Sequence, residues 1–463
     1  MAEAPRLGEQ LASRAKKRKR RSVERDEMAE QGWSDVDPKK NGFELVEYER
    51  TSTSSAYIAK RYSLLTLTRL SIFLQFISHA FTQSVLDGFP HDMWYYAPCR
   101  HIPMGTKHVY LYMSVYIRIQ GLQDRSERTH AGQRHLREHV KEAIKHMKTV
   151  VPTAKLNSKY VEYFIGHFHI ESKHFEALST NFQSIFRHIG QFVACDEKVF
   201  NFTGWHCFVV KVPSKGATGE MGLWMYQMCC RLSNNKPFML HCKLKDAVVA
   251  LGETNPVVNA VNCWIDVVQS FEGLRPNPDC PSVMCIDSYY FSAEVLKRFK
   301  EVPSVKFLLA ATEAKYALCM YLKEKVKNAG NWAAIYNATN DCVEISGIRQ
   351  GTIDGRKYVL TNALTKMSRK QKKSIVPGCD EYSFLYSMCD RYNEFAGFHF
   401  PHKHGGKNSS GIYGAQHDFA ITSTLKNTFN VFEDMHGSIL KSNPPSSPLQ
   451  KTNWTFRDHC TIP

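Results

Sequence analysis

Two short apolar runs in this sequence each lead into an aspartate. Phe192-Val193-Ala194-Cys195 precedes Asp196, and Val283-Met284-Cys285-Ile286 precedes Asp287. A strand end is a rigid place from which to project a carboxylate into a site. Two such ends side by side would set hard oxygen ligands round one concavity, a donor set that suits Mg2+ or Mn2+. Without a cation the paired carboxylates would repel, and one would hold its proton. Aspartate also ends strands simply because it favours turns, so either position alone reads as structural.

A second pattern competes. His135-Leu136-Arg137-Glu138-His139 has the HxxEH spacing of a zinc metalloprotease, two imidazoles one helical turn apart with a carboxylate between them. Such a site needs a further acidic ligand downstream. The flanking residues Arg137, Lys141, Glu142, Lys145, His146 and Lys148 are instead those of an exposed helical face, and 20 histidines make a chance match unsurprising. His167, His169 and His174, and the loop histidines His399, His402 and His404, lack a complete ligand set.

Cationic runs supply another kind of chemistry. Arg14, Lys16, Lys17, Arg18, Lys19, Arg20 and Arg21 read as a nuclear localisation signal, hence a nuclear import receptor as partner and a nuclear protein. Lys366, Arg369, Lys370, Lys372 and Lys373 form a loop suited to holding DNA phosphates, or a solvated loop. Trp205, Trp224, Tyr289 and Tyr290 lie near the two aspartates, where an aromatic ring stacks on an unpaired base or packs in a core. The net charge of +16 over 463 residues favours an anionic partner, nucleic acid or an acidic membrane surface. Leu64 to Phe81, the most apolar stretch, is interrupted by Arg69, Gln75 and His79 and reads as a buried helix, so no membrane partner is expected. The N-terminus has no secretory pattern. The 14 cysteines include no CxxC pair, which fits free thiols in a reducing compartment and argues against a zinc ribbon.

The elements that must position these groups follow from periodicity. Residues 1–55 are polar and charged and read as a disordered basic tail. Residues 56–190 are helical, with helices at Lys107–Leu122, Gly132–Val150 and Tyr160–Ile170. From 191 to 435 the texture is mixed. Strands at Cys207–Val212, Leu223–Leu232 and Pro237–Leu244 follow the first aspartate, then a helix at Val257–Phe271. After Asp287 come a helix at Ser292–Lys300, strands at Val305–Ala310, Val343–Ile348 and Lys357–Thr361, and helices at Glu381–Phe395 and Asp418–Phe432. Residues 436–463 form a short flexible tail. The layout is α+β, with helices against a mixed sheet.

Asp196-Glu197, the Phe202-Thr203-Gly204 turn, the strand to Pro213 and Gly222-Leu223-Trp224-Met225-Tyr226 resemble the opening of the piggyBac transposase catalytic domain. Asp287-Ser288-Tyr289-Tyr290-Phe291-Ser292 is similar to that family's second motif. Tyr382, ahead of Asp390, is similar to the third, and Asn427 also fits the pattern. The resemblance covers about residues 65 to 435. It implies an RNase H-like core with Asp196, Asp287 and Asp390 as catalytic, metal-binding residues holding two Mg2+ or Mn2+ ions. Glu197 would play a supporting part. It further implies a homodimer that cleaves and joins double-stranded DNA, transposon ends to target. Asp354, in an Asp-Gly turn, is the other candidate for the third acid. Where the family has Gly-Arg after its first motif this chain has Gly204-Trp205, its Gly-Thr-x-Arg strand is Ala311-Thr312-Glu313-Ala314, and no cysteine-rich zinc module follows. A catalytically inactive, domesticated DNA-binding descendant therefore stands as the alternative.

Overall fold

The computed structural model describes residues 33–36, 43–45, 56–58, 67–88, 105–126, 132–150, 170–201, 209–212, 220–249, 255–272, 281–290, 292–311, 332–337, 342–348, 356–366, 379–395 and 410–442. The elements in chain order begin with β1 (Trp33–Val36), β2 (Phe43–Leu45), β3 (Tyr57–Ile58), α1 (Arg69–Phe76), α2 (His79–Asp87), α3 (Thr106–Ser126), α4 (Gly132–Val150) and α5 (Ser172–Gln183). Then come β4 (Phe186–His188), β5 (Phe192–Asn201), β6 (Val209–Val212), β7 (Glu220–Arg231), β8 (Pro237–Leu244), α6 (Lys245–Val249) and α7 (Pro256–Ser270). The remainder are β9 (Ser282–Ile286), α8 (Ala293–Glu301), β10 (Val305–Ala311), β11 (Trp332–Asn337), β12 (Cys342–Ile348), β13 (Arg356–Thr361), β14 (Leu364–Lys366), α9 (Cys379–Phe395) and α10 (Ser410–Ser442). The chain is α+β with a mixed sheet, and it divides into two compact units.

The first unit comprises residues 1–57, 187–196 and 257–389. Its strands run in the order β1-β11-β12-β13-β10-β9-β5. β9 is parallel to both β5 and β10, and the others pair antiparallel. Parallel neighbours need a crossover, and α8 provides it between β9 and β10. Ser292 starts that helix by accepting a hydrogen bond from the Val295 amide at 3.2 Å. Ala260, Val261, Trp264, Ile265 and Val268 form the buried stripe of α7, at the spacing of one helical face. All five residues of β9 are buried, as expected of a central parallel strand covered on both sides.

The second unit comprises residues 58–186, 197–256 and 390–463. Its core includes Phe76, Phe182, Phe186 and Phe238, whose rings pack at centroid distances of 4.9 to 6.0 Å. The free edge of β8 is occupied by side chains. Asn427 of α10 accepts from the Met239 amide (3.1 Å) and donates to the Met239 carbonyl (2.9 Å), and Asn430 donates to the Pro237 carbonyl (2.7 Å). One turn on, Asp434 accepts from the Ser233 hydroxyl (2.5 Å) and the Asn234 amide (2.6 Å). The three positions share one face of the helix. Further along β8, the Ser179 hydroxyl both donates to the Cys242 carbonyl and accepts from its amide. An open strand edge invites pairing with another chain, and these contacts close it.

Three sequence expectations change. Trp33–Val36 and Phe43–Leu45 are strands rather than disordered tail, because β11 and β14 offer them distant edges to pair with. Leu64 to Phe81 is not one helix. Ser78 interrupts it, its hydroxyl accepting from the Phe81 amide at 3.3 Å to start α2. β5 does not stop at Asp196 but continues to Asn201. Tyr160–Ile170 lies outside the described residues except for Ile170.

Replacing Asn427 with leucine leaves a buried amide and carbonyl of β8 without partners. Chemical unfolding should show a loss of about 1–3 kcal/mol. His241, on the same strand, is pushed down to about 4, first by burial and then by the field of Lys243. The unfolded state therefore takes up the proton first. The stabilisation is present above about pH 6.5 and is lost as pH falls toward 4, by roughly 3 kcal/mol in all. Unfolding measured across that window should be flatter in His241→Met than in the parent protein.

Candidate functional site

The site in the first unit is built by the parallel pairing of β5 with β9. Phe192 lies opposite Val283, Val193 opposite Met284, and Ala194 opposite Cys285. The paired register ends at Ala194 and Cys285; continued by two residues, past the end of β9, it would set Asp196 against Asp287 on neighbours spaced about 4.8 Å apart. Side chains alternate between faces, so Ala194, Asp196, Cys285 and Asp287 all belong to one face of the sheet. Asp196 is 4% exposed and lies within β5, whereas Asp287 is half-buried and follows the last residue of β9.

Helix α9 covers that face. The Cys285 thiol lies 3.9 Å from the Tyr382 carbonyl, and the Cys389 thiol lies 3.4 Å from the Ala194 carbonyl. Tyr382, Leu385, Met388, Cys389 and Tyr392 are the buried positions of the helix. Tyr382 is 6% exposed, and its ring stacks on Tyr386 at 5.4 Å. Burial holds the Tyr382 phenol well above its ordinary range, and the fields of Cys285, Asp287, Tyr386 and Asp196 raise it further. The phenol is thus protonated at neutral pH and close enough to feel both carboxylates.

The other residues singled out in the sequence fall as follows. Asp390 is exposed, in the part of α9 that belongs to the second unit, eight residues beyond Tyr382. That separation is about 12 Å of helical rise. The acids at the Tyr382 end of α9 are Asp380 and Glu381, whose backbone lies in its first turn. A pattern keyed to the tyrosine passes over them, although the Pro377-Gly378 breaker marks where the helix must begin. Trp224 and Tyr290 are buried, while Tyr289, two residues after Asp287, is 41% exposed. Asp354, Trp205, Arg14 to Arg21 and Arg369 to Lys373 lie outside the described residues, as do the side chains of Lys366, His135, Glu138 and His139. Among the described residues no group of three His, Cys, Asp or Glu side chains is gathered as for a metal ion, and no helix is long and apolar enough to cross a membrane. The described cysteines, Cys195, Cys229, Cys230, Cys242, Cys263, Cys285 and Cys389, carry free thiols.

A similar fold occurs in a solved structure, the cryo-EM synaptic complex of piggyBac transposase with hairpin DNA. The TM-score is 0.50 over 85% of this chain and 84% of that one, at 13% sequence identity. The two chains share a fold. No family model matches the sequence, and no curated protein matches it. The likeness to piggyBac transposase therefore rests on backbone architecture, and the chemistry must be argued from this chain's own residues.

Two level carboxylates fit a hard divalent cation. Mg2+ keeps several of its waters and is commonly held by one or two carboxylates. Mn2+ or Mg2+ should raise the melting temperature of the protein, and Asp196→Asn or Asp287→Asn should remove that increment.

Proposed function

We propose that this protein is a piggyBac-like DNA transposase that cleaves and joins DNA strands with Mg2+ or Mn2+ at Asp196 and Asp287. The observation that supports the reading is the parallel pairing of β5 with β9, which brings the strand segments leading into Asp196 and Asp287 together as neighbours. The shared fold with piggyBac transposase supports it. The chain order also supports an RNase H-like core: β5, the antiparallel β6 to β8, then α7, β9, α8 and β10.

Asp196 and Asp287 would hold the cations, and a third carboxylate would come from α9, either Asp380 or Glu381 beside Tyr382 or Asp390 further along. Bound there, two ions would activate water or a DNA 3′-hydroxyl and stabilise the leaving oxygen of an in-line displacement. Asp196 is held within β5 and Asp287 directly after the buried strand β9, and no nucleophilic side chain is required. The uncharged Tyr382 phenol fills the space behind them without adding a charge. Exposed Tyr289, next to Asp287, is placed to stack on a base near the scissile bond. Two copies acting together, nuclear import through Arg14 to Arg21, and phosphate contacts from Lys366, Arg369, Lys370, Lys372 and Lys373 complete the proposal.

The test is a strand-cleavage and strand-transfer assay on the terminal sequences of the protein's own genomic copy. Metal-dependent cutting should fall at least about 1,000-fold, some 4 kcal/mol of barrier, in both Asp196→Asn and Asp287→Asn. Asp380→Asn, Glu381→Gln and Asp390→Asn assign the third ligand. Cutting that survives in Asp196→Asn and Asp287→Asn would sink the site, and DNA binding without any cutting would leave the domesticated binding protein in its place.

A further inference from the structure

Helix α4 carries a feature that the proposed metal site does not use. It runs for 19 residues from Gly132 to Val150 and packs against α3. Val140, Ala143 and Ile144 are buried, while Lys141, Lys145 and Lys148 are exposed. At about 100° per residue, positions 134, 137, 141, 145 and 148 fall within an arc of roughly 80°. All five are arginine or lysine. The stripe is about 21 Å long, the axial length of some six phosphates on one strand of duplex DNA. Glu138 and Glu142 fall on its flank, outside the arc. Among the described residues, Lys141, Lys145 and Lys148 form no ion pair.

We propose that this cationic stripe of α4 is a binding surface for the phosphate backbone of duplex DNA. The proposal rests on the reading that the protein acts on DNA, and it adds which surface holds the duplex. A lipid surface fits less well. A helix that lies on a membrane buries its apolar face among the lipids, and here that face is already committed to the protein interior. The arc itself holds no acid, Glu138 and Glu142 falling beside it, and the chain's charge of +16 gives it the sign for a polyanion. Contacts of this kind set affinity and orientation without reading sequence. The same surface should therefore serve transposon-end and unrelated DNA alike.

The experiment is a salt titration of duplex binding by the full chain, using both a terminal-sequence duplex and an unrelated one. The variants are the triple substitution Lys141→Ala, Lys145→Ala, Lys148→Ala and its charge-preserving counterpart with arginine at all three positions. Each phosphate contact adds about 0.9 to the slope of log K against log salt. The alanine triple should lower that slope by about 2–3 on both duplexes, and the arginine triple should keep it. The three side chains are exposed and unpaired, so circular dichroism and melting temperature should match the parent. An unchanged slope in the alanine triple, with the parent still binding and cutting DNA, overturns this surface and leaves the proposed function standing. No duplex binding by the parent protein overturns both. Lysine-dependent binding to phosphatidylserine vesicles, with none to DNA, also overturns the proposal and assigns the stripe to a lipid.

Discussion

The parallel pairing of β5 with β9 brings together the two strands that lead into Asp196 and Asp287, and the arrangement of the first unit around them follows from it. Each strand by itself presents one aspartate among apolar neighbours, and neither is unusual. A parallel register fixes which residue stands beside which. A slip of one position would turn one aspartate to the opposite face. The register is held by burial on both sides, since β9 is covered throughout and the Ala194–Cys285 level is capped by α9 through Cys389 and Tyr382. The neighbouring positions of the two segments that lead into Asp196 and Asp287 are thus imposed by packing in the first unit.

The second unit shows how the architecture handles a different hazard. β8 is a strand with polar backbone groups along one edge, and α10 answers them with Asn427, Asn430 and Asp434 in one row. These are short, polar side chains of the kind usually placed at caps and turns, not in the interior of a long helix. Their use here follows from the partner. An exposed strand edge needs both donors and acceptors, and asparagine offers both in one side chain. Lys426, adjacent in sequence, donates to the carbonyls of Arg391 and Tyr392 near the end of α9, so the same helix also completes a helix terminus.

Charge of the two signs is distributed differently over the described residues. Asp196 is buried and Asp287 half-buried, whereas Lys141, Lys145 and Lys148 of α4 are exposed. A cation held by the acids would place positive charge at the reacting position, while the lysines supply a broad, salt-sensitive attraction.

Hydrophobic period and turn chemistry were enough to give the types of the longer elements from 191 onward and the residues worth attention. The limits of β8 and α4 follow directly from hydrophobic period and turn residues, and those of β9, α7 and α8 to within a residue, because burial pattern and local propensity agree there. The two aspartates were legible from the apolar runs that precede them, and Asn427 from its resemblance to a family pattern. Tertiary structure alone decided the rest. Trp33–Val36 has too little apolar content to signal a strand, and becomes one only because β11 offers an edge far along the chain. The break at Ser78 was hidden inside an apolar stretch that suits one helix or two. The continuation of β5 past Asp196 and the arrival of Tyr382 beside both carboxylates depend on contacts between segments distant in sequence. Such contacts leave no local periodicity, so an apolar run reads the same whichever partner it will meet.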